Sequence, residues 1–416
     1  MSLTAALDAV DGAAIARDLS LLVQERSITG RERGAAERVV ALARALDLRA
    51  TLDVHDLAAL RADPDHPGEE VPRTECVGAT VTLPGSDPQA PRLCLNGHLD
   101  VVPEGAEQWA RDPWAGEIDG DTVHGRGAVD MKGGLVAALH ALGALRAART
   151  PLPGDIVLQA VASEEDGGLG AFAALRRDAR FAACLIPEPT ELRVVCAHGG
   201  ALTFNGVVRG RGAHAAQRLE GVSAIDRYLP IHAALHAHER AVNARPRHPL
   251  AGLDDAELPY PLLVGQLRAG RWSSQVPEEL TFEGRLGVPV GESLQEARAG
   301  LERAVAAATD DAGPPVQITW TGGQFGSGET DVGDPWVGVV RAAASAELGS
   351  APPLVGVGYG ADMRLYRDRG IPCVMFGPSA IRLAHAVDER VSVGELETVA
   401  RVIVRCAVAF AARQAG

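Results

Sequence analysis

His98 and Asp100 close an apolar run, Leu93-Cys94-Leu95-Asn96-Gly97-His98-Leu99-Asp100. In a strand the side-chain period is two, so both leave the backbone on the same side. An imidazole binds a metal ion through one nitrogen, while a carboxylate can hold the other N–H and fix the tautomer. More acids, and a second His, recur where other elements should end. Glu164-Glu165-Asp166 follows the apolar run 155–162, Glu188 lies between two prolines after the run 182–186, and Asp130 sits in a Gly-rich stretch, 125–134. His385 lies in Ala384-His385-Ala386-Val387-Asp388-Glu389. His98, Asp130, Glu165, Glu188 and His385 together offer two imidazoles and three carboxylates, with Asp100 and Glu164 beside them. Nitrogen and oxygen donors without thiolate suit a pair of divalent ions, zinc first, with cobalt or manganese as alternatives. Two ions about 3.5–4 Å apart lower the pKa of a water and polarise a carbonyl. Glu164 is then the spare carboxylate that moves the proton.

Three of these groups follow apolar runs that read as buried strands. An open α/β sheet brings strand ends together at its C-terminal edge, which is where such sheets build sites. Each group also has a plainer reading. Asp130 could cap the helix expected over 135–148, and the acid triplet could be a solvated loop. Earlier, helical periodicity runs through 13–48, and strands are expected near 51–54, 76–83 and 92–95. From about residue 200 the pattern becomes strand, helix, two strands, helix, strand, ending near 320. That is the order of a split βαβ, ferredoxin-like unit. The expected organisation is a catalytic α/β domain over 1–200 and 323–416, interrupted by an inserted domain over 201–322. Residues 322–334 read as a Gly-rich linker. His232 and His236 have the i, i+4 spacing of a zinc helix but lack the accompanying Glu, so a solvated helix face is the better reading.

A chain of 416 residues with 46% hydrophobic and 23% charged residues fits a two-domain globular protein. The net charge of −14, with no basic stripe, argues against nucleic acid. No apolar run approaches the roughly 18 residues of a spanning helix, and no signal-peptide pattern opens the chain. The six Cys are scattered and form no CxxC. They read as buried hydrophobes in a reducing compartment, so a cytoplasmic protein without membrane contact is expected.

Five motifs occur in order: His98-Leu99-Asp100, Gly125-Arg126-Gly127 leading to Asp130-Met131-Lys132-Gly133-Gly134, Glu164-Glu165-Asp166-Gly167, Glu188-Pro189-Thr190, and Ala384-His385 leading to Asp388-Glu389. This succession resembles the di-zinc amidohydrolases and exopeptidases, the family of acetylornithine deacetylase, succinyl-diaminopimelate desuccinylase, aminoacylase and glutamate carboxypeptidase. The resemblance implies a zinc-exopeptidase-like catalytic domain, a mixed sheet flanked by helices, with an inserted α+β lid that also makes a homodimer. It implies one metal on His98 and Glu188, a second on Glu165 and His385, and Asp130 bridging both with a cis peptide to Met131. It further implies that Asp100 orients His98, that Glu164 is the general acid/base, and that His214 reaches across a dimer to the oxyanion.

Ser274-Gln275-Val276-Pro277 stands where many relatives carry Asn before the lid proline, and this region looks closest to the deacetylase-like branch. Ser274, Arg285 and Arg364 are candidate substrate contacts. An Arg suits a substrate carboxylate, and a structural ion pair is the alternative for each Arg. The expected reaction is metal-dependent hydrolysis of the amide bond of a small N-acylated amino acid or analogue. The rivals are a dipeptidase or carboxypeptidase, a deformylase of an N-formylated heterocycle, and an inactive binding protein on the same fold.

Overall fold

The structure, a computed structural model, describes residues 3–250, 252–253 and 255–414. The outermost ends of the expected catalytic segments, residues 1–2 and 415–416, lie outside the described residues. The chain first forms β1 (Arg49–His55), β2 (Cys76–Leu83), β3 (Leu93–His98), β4 (Ile118–Asp119), β5 (Thr122–His124), β6 (Ile156–Val161), β7 (Ala183–Ile186) and β8 (Val194–His198). There follow β9 (Gly200–Arg209), β10 (Leu262–Ala269), β11 (Glu279–Val288) and β12 (Gln317–Phe325). The chain closes with β13 (Gly328–Glu329), β14 (Leu354–Val357), β15 (Cys373–Met375) and β16 (Arg390–Ser392).

The main sheet is mixed, in the order β1-β2-β6-β3-β7-β15-β8-β13, with β14 also paired to β8. Its centre, β6-β3-β7-β15, is parallel. Leu93 and Leu95 of β3 point into one core with Leu139 and Ile403, and Cys94 points into the other with Phe172 and Tyr366. Coverage on both faces explains why these strands read as continuous apolar runs. Helix Gly133–Ala147 is buried almost all round. The stretch Ala128–Ala147 is in fact long and apolar enough to cross a bilayer, contrary to the expectation from its sequence, yet 94% of that window is buried inside the fold. It is the central core helix.

The second sheet, β10-β11-β9-β12, is antiparallel. One face carries Leu202, Phe204, Phe282 and Leu286 against helices Ala224–Asn243 and Leu294–Ala308, which supply Tyr228, Ile231, Leu235 and Leu301. Ser293 and Glu296 form a reciprocal capping box that starts the second helix. His232 and His236 pack edge to face, ring centroids 4.6 Å apart, and belong to no metal-competent group among the described residues. The stretch expected as a linker is ordered: β12 runs on to Phe325, and β13 pairs with β8.

Candidate metal centre

Because β6, β3 and β7 are parallel neighbours, His98, the Glu164–Glu165 turn and Glu188 emerge at one edge. His98 ends β3 and is 1% exposed. Its Nδ1 lies 2.8 Å from the carbonyl oxygen of Asp100. A carbonyl only accepts, so Nδ1 carries the proton and donates it there. The other nitrogen, Nε2, faces Asp130 Oδ1 at 3.0 Å and Glu188 Oε1 at 3.8 Å.

This corrects the route by which Asp100 acts. Its main chain, not its carboxylate, fixes the His98 ring; the nearer carboxylate oxygen stays 3.8 Å from Nδ1. The carboxylate instead accepts the backbone N–H of Glu164 at 3.1 Å and of Glu165 at 3.2 Å, and the Thr29 hydroxyl at 3.1 Å. Asp100 therefore braces the acidic turn. In that turn Ser163 has a φ of 65°, a conformation costly for a non-glycine residue. The third acid, Asp166, turns away from the cluster. It accepts from Arg73 at 2.9 Å and from the backbone N–H groups of Glu70 and Val71 at 3.2 and 3.0 Å. The acids are thus not a solvated loop: two line the cleft and the third ties down a neighbouring loop.

Asp130 does not cap the helix after it, which begins without a side-chain cap. It sits in a wide turn, Ala128–Lys132, entered through Gly127 at φ 82° and containing a cis peptide between Asp130 and Met131. A Cβ on Gly127 would lie 2.4 Å from Val101 Cγ1, so no other residue fits. Glu389 shapes this turn. Its buried carboxylate accepts the N–H groups of Gly127, Val129 and Asp130 at 3.0, 2.8 and 3.1 Å, and Arg126 donates to it at 2.7 Å. Glu389 was part of a sequence motif, but no role could be read for it there. Its adjacency to His385 was the available signal.

The Asp130 carboxylate is shared. Oδ1 faces His98, and Oδ2 lies 3.3 Å from His385 Nε2. That nitrogen is also 3.0 Å from Glu165 Oε1. His385 has a φ of 59°, and its carbonyl accepts from Arg126. One group of His98, Asp130 and Glu165 places its donor atoms within 4.8 Å of one another, as a metal ion requires.

Burial pushes the carboxyls of Glu164, Glu165 and Glu188 above their ordinary range, with neighbouring acids adding to it. At Asp130 the two imidazoles outweigh burial and hold its carboxyl below the usual range. Asp130 and Glu165 raise His385 to about 10. His98 is raised as well, its acidic neighbours overcoming burial. Four buried carboxylates facing two imidazoles call for positive charge, and the nitrogen and oxygen donors at these spacings fit divalent cations.

A cavity of about 1010 Å³ opens on this edge, lined by Asp130, Glu164, Glu165, Glu188 and His385 on one side and by Arg285 of β11 on the other. Arg364 takes no part in it, which corrects its assignment as a substrate contact. It is 3% exposed, donates to the carbonyls of Gly167 at 2.7 Å and Ala361 at 3.2 Å, and stacks 4.3 Å over Phe325. His214 and Ser274 are exposed and do not line the cavity. Their two segments are paired with each other: the Ser274 carbonyl accepts the N–H of Ala215, and His214 bridges to Gln275. Within one chain neither reaches the cluster.

The sequence profile of peptidase family M20/M25/M40 matches residues 94–409. A succinyl-diaminopimelate desuccinylase of Methylobacterium sp. (strain 4-46) is 30% identical over 373 residues, spanning 85% of this chain and 89% of that protein. The N-formyl-4-amino-5-aminomethyl-2-methylpyrimidine deformylase of Bacillus subtilis (strain 168) is 26% identical, over 77% of this chain and 80% of its own. In fold, the chain resembles the Bacillus subtilis YXEP protein, a dinuclear metal binding peptidase from the M20 family. The TM-score is 0.67 at 15% identity, over 96% of this chain and 99% of that one. With the profile covering most of the chain, this protein belongs to peptidase family M20/M25/M40 and is a hydrolase of amide bonds.

Proposed function

We propose that the protein hydrolyses the amide bond of a small N-acylated amino acid or close analogue, using two divalent ions, zinc by preference. The observation that carries this reading is the placement of Asp130. Each of its oxygens faces a different imidazole, and each imidazole has one further carboxylate of its own, Glu188 for His98 and Glu165 for His385. His98 and Glu188 would hold one ion, His385 and Glu165 the other, and Asp130 would join them. Ions bound there lower the pKa of a water and polarise the amide carbonyl.

The chain supplies the rest. Glu164, at the cavity wall and raised by burial, takes the proton of the attacking water and delivers it to the leaving nitrogen. Asp100 holds Glu164 and Glu165 through their N–H groups. Arg285 offers its guanidinium to a substrate carboxylate. His214 contributes to the oxyanion from the partner of a homodimer; its exposure, away from the cavity of its own chain, supports that role.

The test is a set of initial rates on N-acetyl, N-succinyl and N-formyl amides beside simple dipeptides. Zinc or cobalt is supplied, and a chelated control is run with metal analysis of the protein. Chelator-sensitive cleavage of one acyl class with two ions per chain is the expected result. Cleavage that ignores the chelator would sink the proposal, and cleavage of dipeptides alone would move the protein to the peptidases.

A further inference from the structure

Part of the cavity lining beside the carboxylates is apolar, and its large side chains are exposed. Leu263 is 64% exposed, Leu258 46% and Ile381 40%. These three line the same cavity as Glu164 and Asp130. They reach it from different parts of the fold. Leu258 lies in the segment before β10, Leu263 lies on β10, and Ile381 begins a short turn that ends just before His385. Pro259 and Pro261 complete the surface and stiffen it.

Leu263 pairs directly with Arg285 across β10 and β11, so the two side chains stand next to each other on one face of the sheet. That face is opposite the one packed by the helices, since Leu262 and Leu286 belong to the helix-facing core. Thr203, the neighbour of Arg285 on its other side, donates to Glu70 of the catalytic domain at 3.0 Å. The face therefore looks across the cleft. Arg285 is the only Lys or Arg among the described residues lining the cavity, and Glu239, which accepts the N–H of Leu262, also lines it.

Resting on the amide-hydrolase reading, we infer that this wall is a subsite for an apolar side chain, and that the preferred substrate is a hydrophobic N-acylated amino acid with a single carboxylate. Arg285 takes that carboxylate while Leu258, Leu263 and Ile381 cover the apolar group. A polyanionic substrate such as a succinylated diamino diacid would leave its remaining charges against leucines and acids. Burying an unpaired charge costs far more than the apolar contact returns. Exposed leucines beside a charged site are explained if substrate covers them.

The experiment compares kcat/KM for N-acetyl-L-leucine, N-acetylglycine and N-succinyl-L,L-diaminopimelate, in the zinc-loaded protein and in Leu258→Asn and Leu263→Asn. Both leucines are surface residues, so these changes leave the fold intact. The wild type should favour N-acetyl-L-leucine over N-acetylglycine by tenfold or more, on the order expected for apolar contacts of this size. Each variant should erase much of that ratio through KM, losing at least tenfold more on N-acetyl-L-leucine than on N-acetylglycine. A preference for the succinylated diacid overturns the inference. So does an equal loss on all substrates in the variants.

Calorimetric binding of the same three compounds to zinc-loaded Glu164→Ala keeps the two readings separable. Tighter binding of N-acetyl-L-leucine without turnover in the wild type would support the subsite while removing the proposed reaction. Equal or reversed affinities would remove the subsite whatever the reaction.

Discussion

Two buried acidic clusters lie back to back across the Ser163–Gly168 turn, and they are solved in opposite ways. In one, Glu32 and Asp166 face Arg73, whose side chain is fully buried and donates to Asp166 at 2.9 Å and Glu32 at 3.2 Å. Burial and the nearness of Asp100 raise Glu32 to about 7, and Glu69 lies 3.3 Å from the same guanidinium, so one buried cation serves the whole cluster. In the other, Asp130, Glu164, Glu165 and Glu188 meet only two imidazoles. A structural cluster brings its own cation. A cluster whose acids outnumber its imidazoles, yet is held in place by Asp100 and Glu389, is suited to a cation from solution.

The sharpest way to break this contrast is Glu164→Ala. If the second cluster is catalytic, turnover should fall by about 10³-fold while metal analysis still finds both ions; loss of metal would mean that Glu164 is a ligand. On the structural side, Arg73→Ala should cost about 3–5 kcal/mol, because it leaves buried charge uncompensated. Denaturant titration measures this, and a change below 1 kcal/mol would erase the distinction. Glu389→Gln keeps the shape of the Asp130 turn but weakens three N–H contacts and the Arg126 pair. Metal affinity, read by competition with a chromogenic chelator, should drop about 10–100-fold.

The smallest effect concerns pH. Glu32 sits near 4.5 when unfolded and about 7 when folded, so the folded protein binds the proton more tightly. Its contribution to stability is complete below pH 4.5 and is lost as pH rises through 7. Glu32→Gln should therefore melt with a flatter pH profile than the wild type between pH 5 and 8, by on the order of a few degrees. An identical slope in both proteins would show that Glu32 ionises freely.

Much of this was legible before any coordinates. Buried parallel strands announce themselves as unbroken apolar runs, and the residue after such a run stands at the sheet edge. That is why His98, Glu164, Glu165 and Glu188 could be grouped. What escaped were several choices made by long-range pairing. Nothing in Glu164-Glu165-Asp166 says that the third acid will turn toward Arg73, 93 residues earlier. Nothing near Arg364 says that two carbonyls and Phe325 will enclose it. The exchange of roles within Asp100, carbonyl to His98 and carboxylate to the turn, is equally invisible, because one residue type serves both. The helix expected over 135–148 is present as Gly133–Ala147, but a helix buried all round lacks the polar stripe that marks a surface helix, so its central place could not be read.

The cavity draws Glu164, Glu165 and Glu188 from the edge of one sheet and Arg285 and Leu263 from another, and each sheet is packed on its own core. On the proposed reading, bond-breaking and selection are carried on parts that can change at different rates. Substitutions on the outward face of β10 and β11 touch neither the ligands nor the packing beneath them. Exchanging that face, or the whole stretch from β9 to β12, would redirect the protein to other amides while the reacting edge stays as it is.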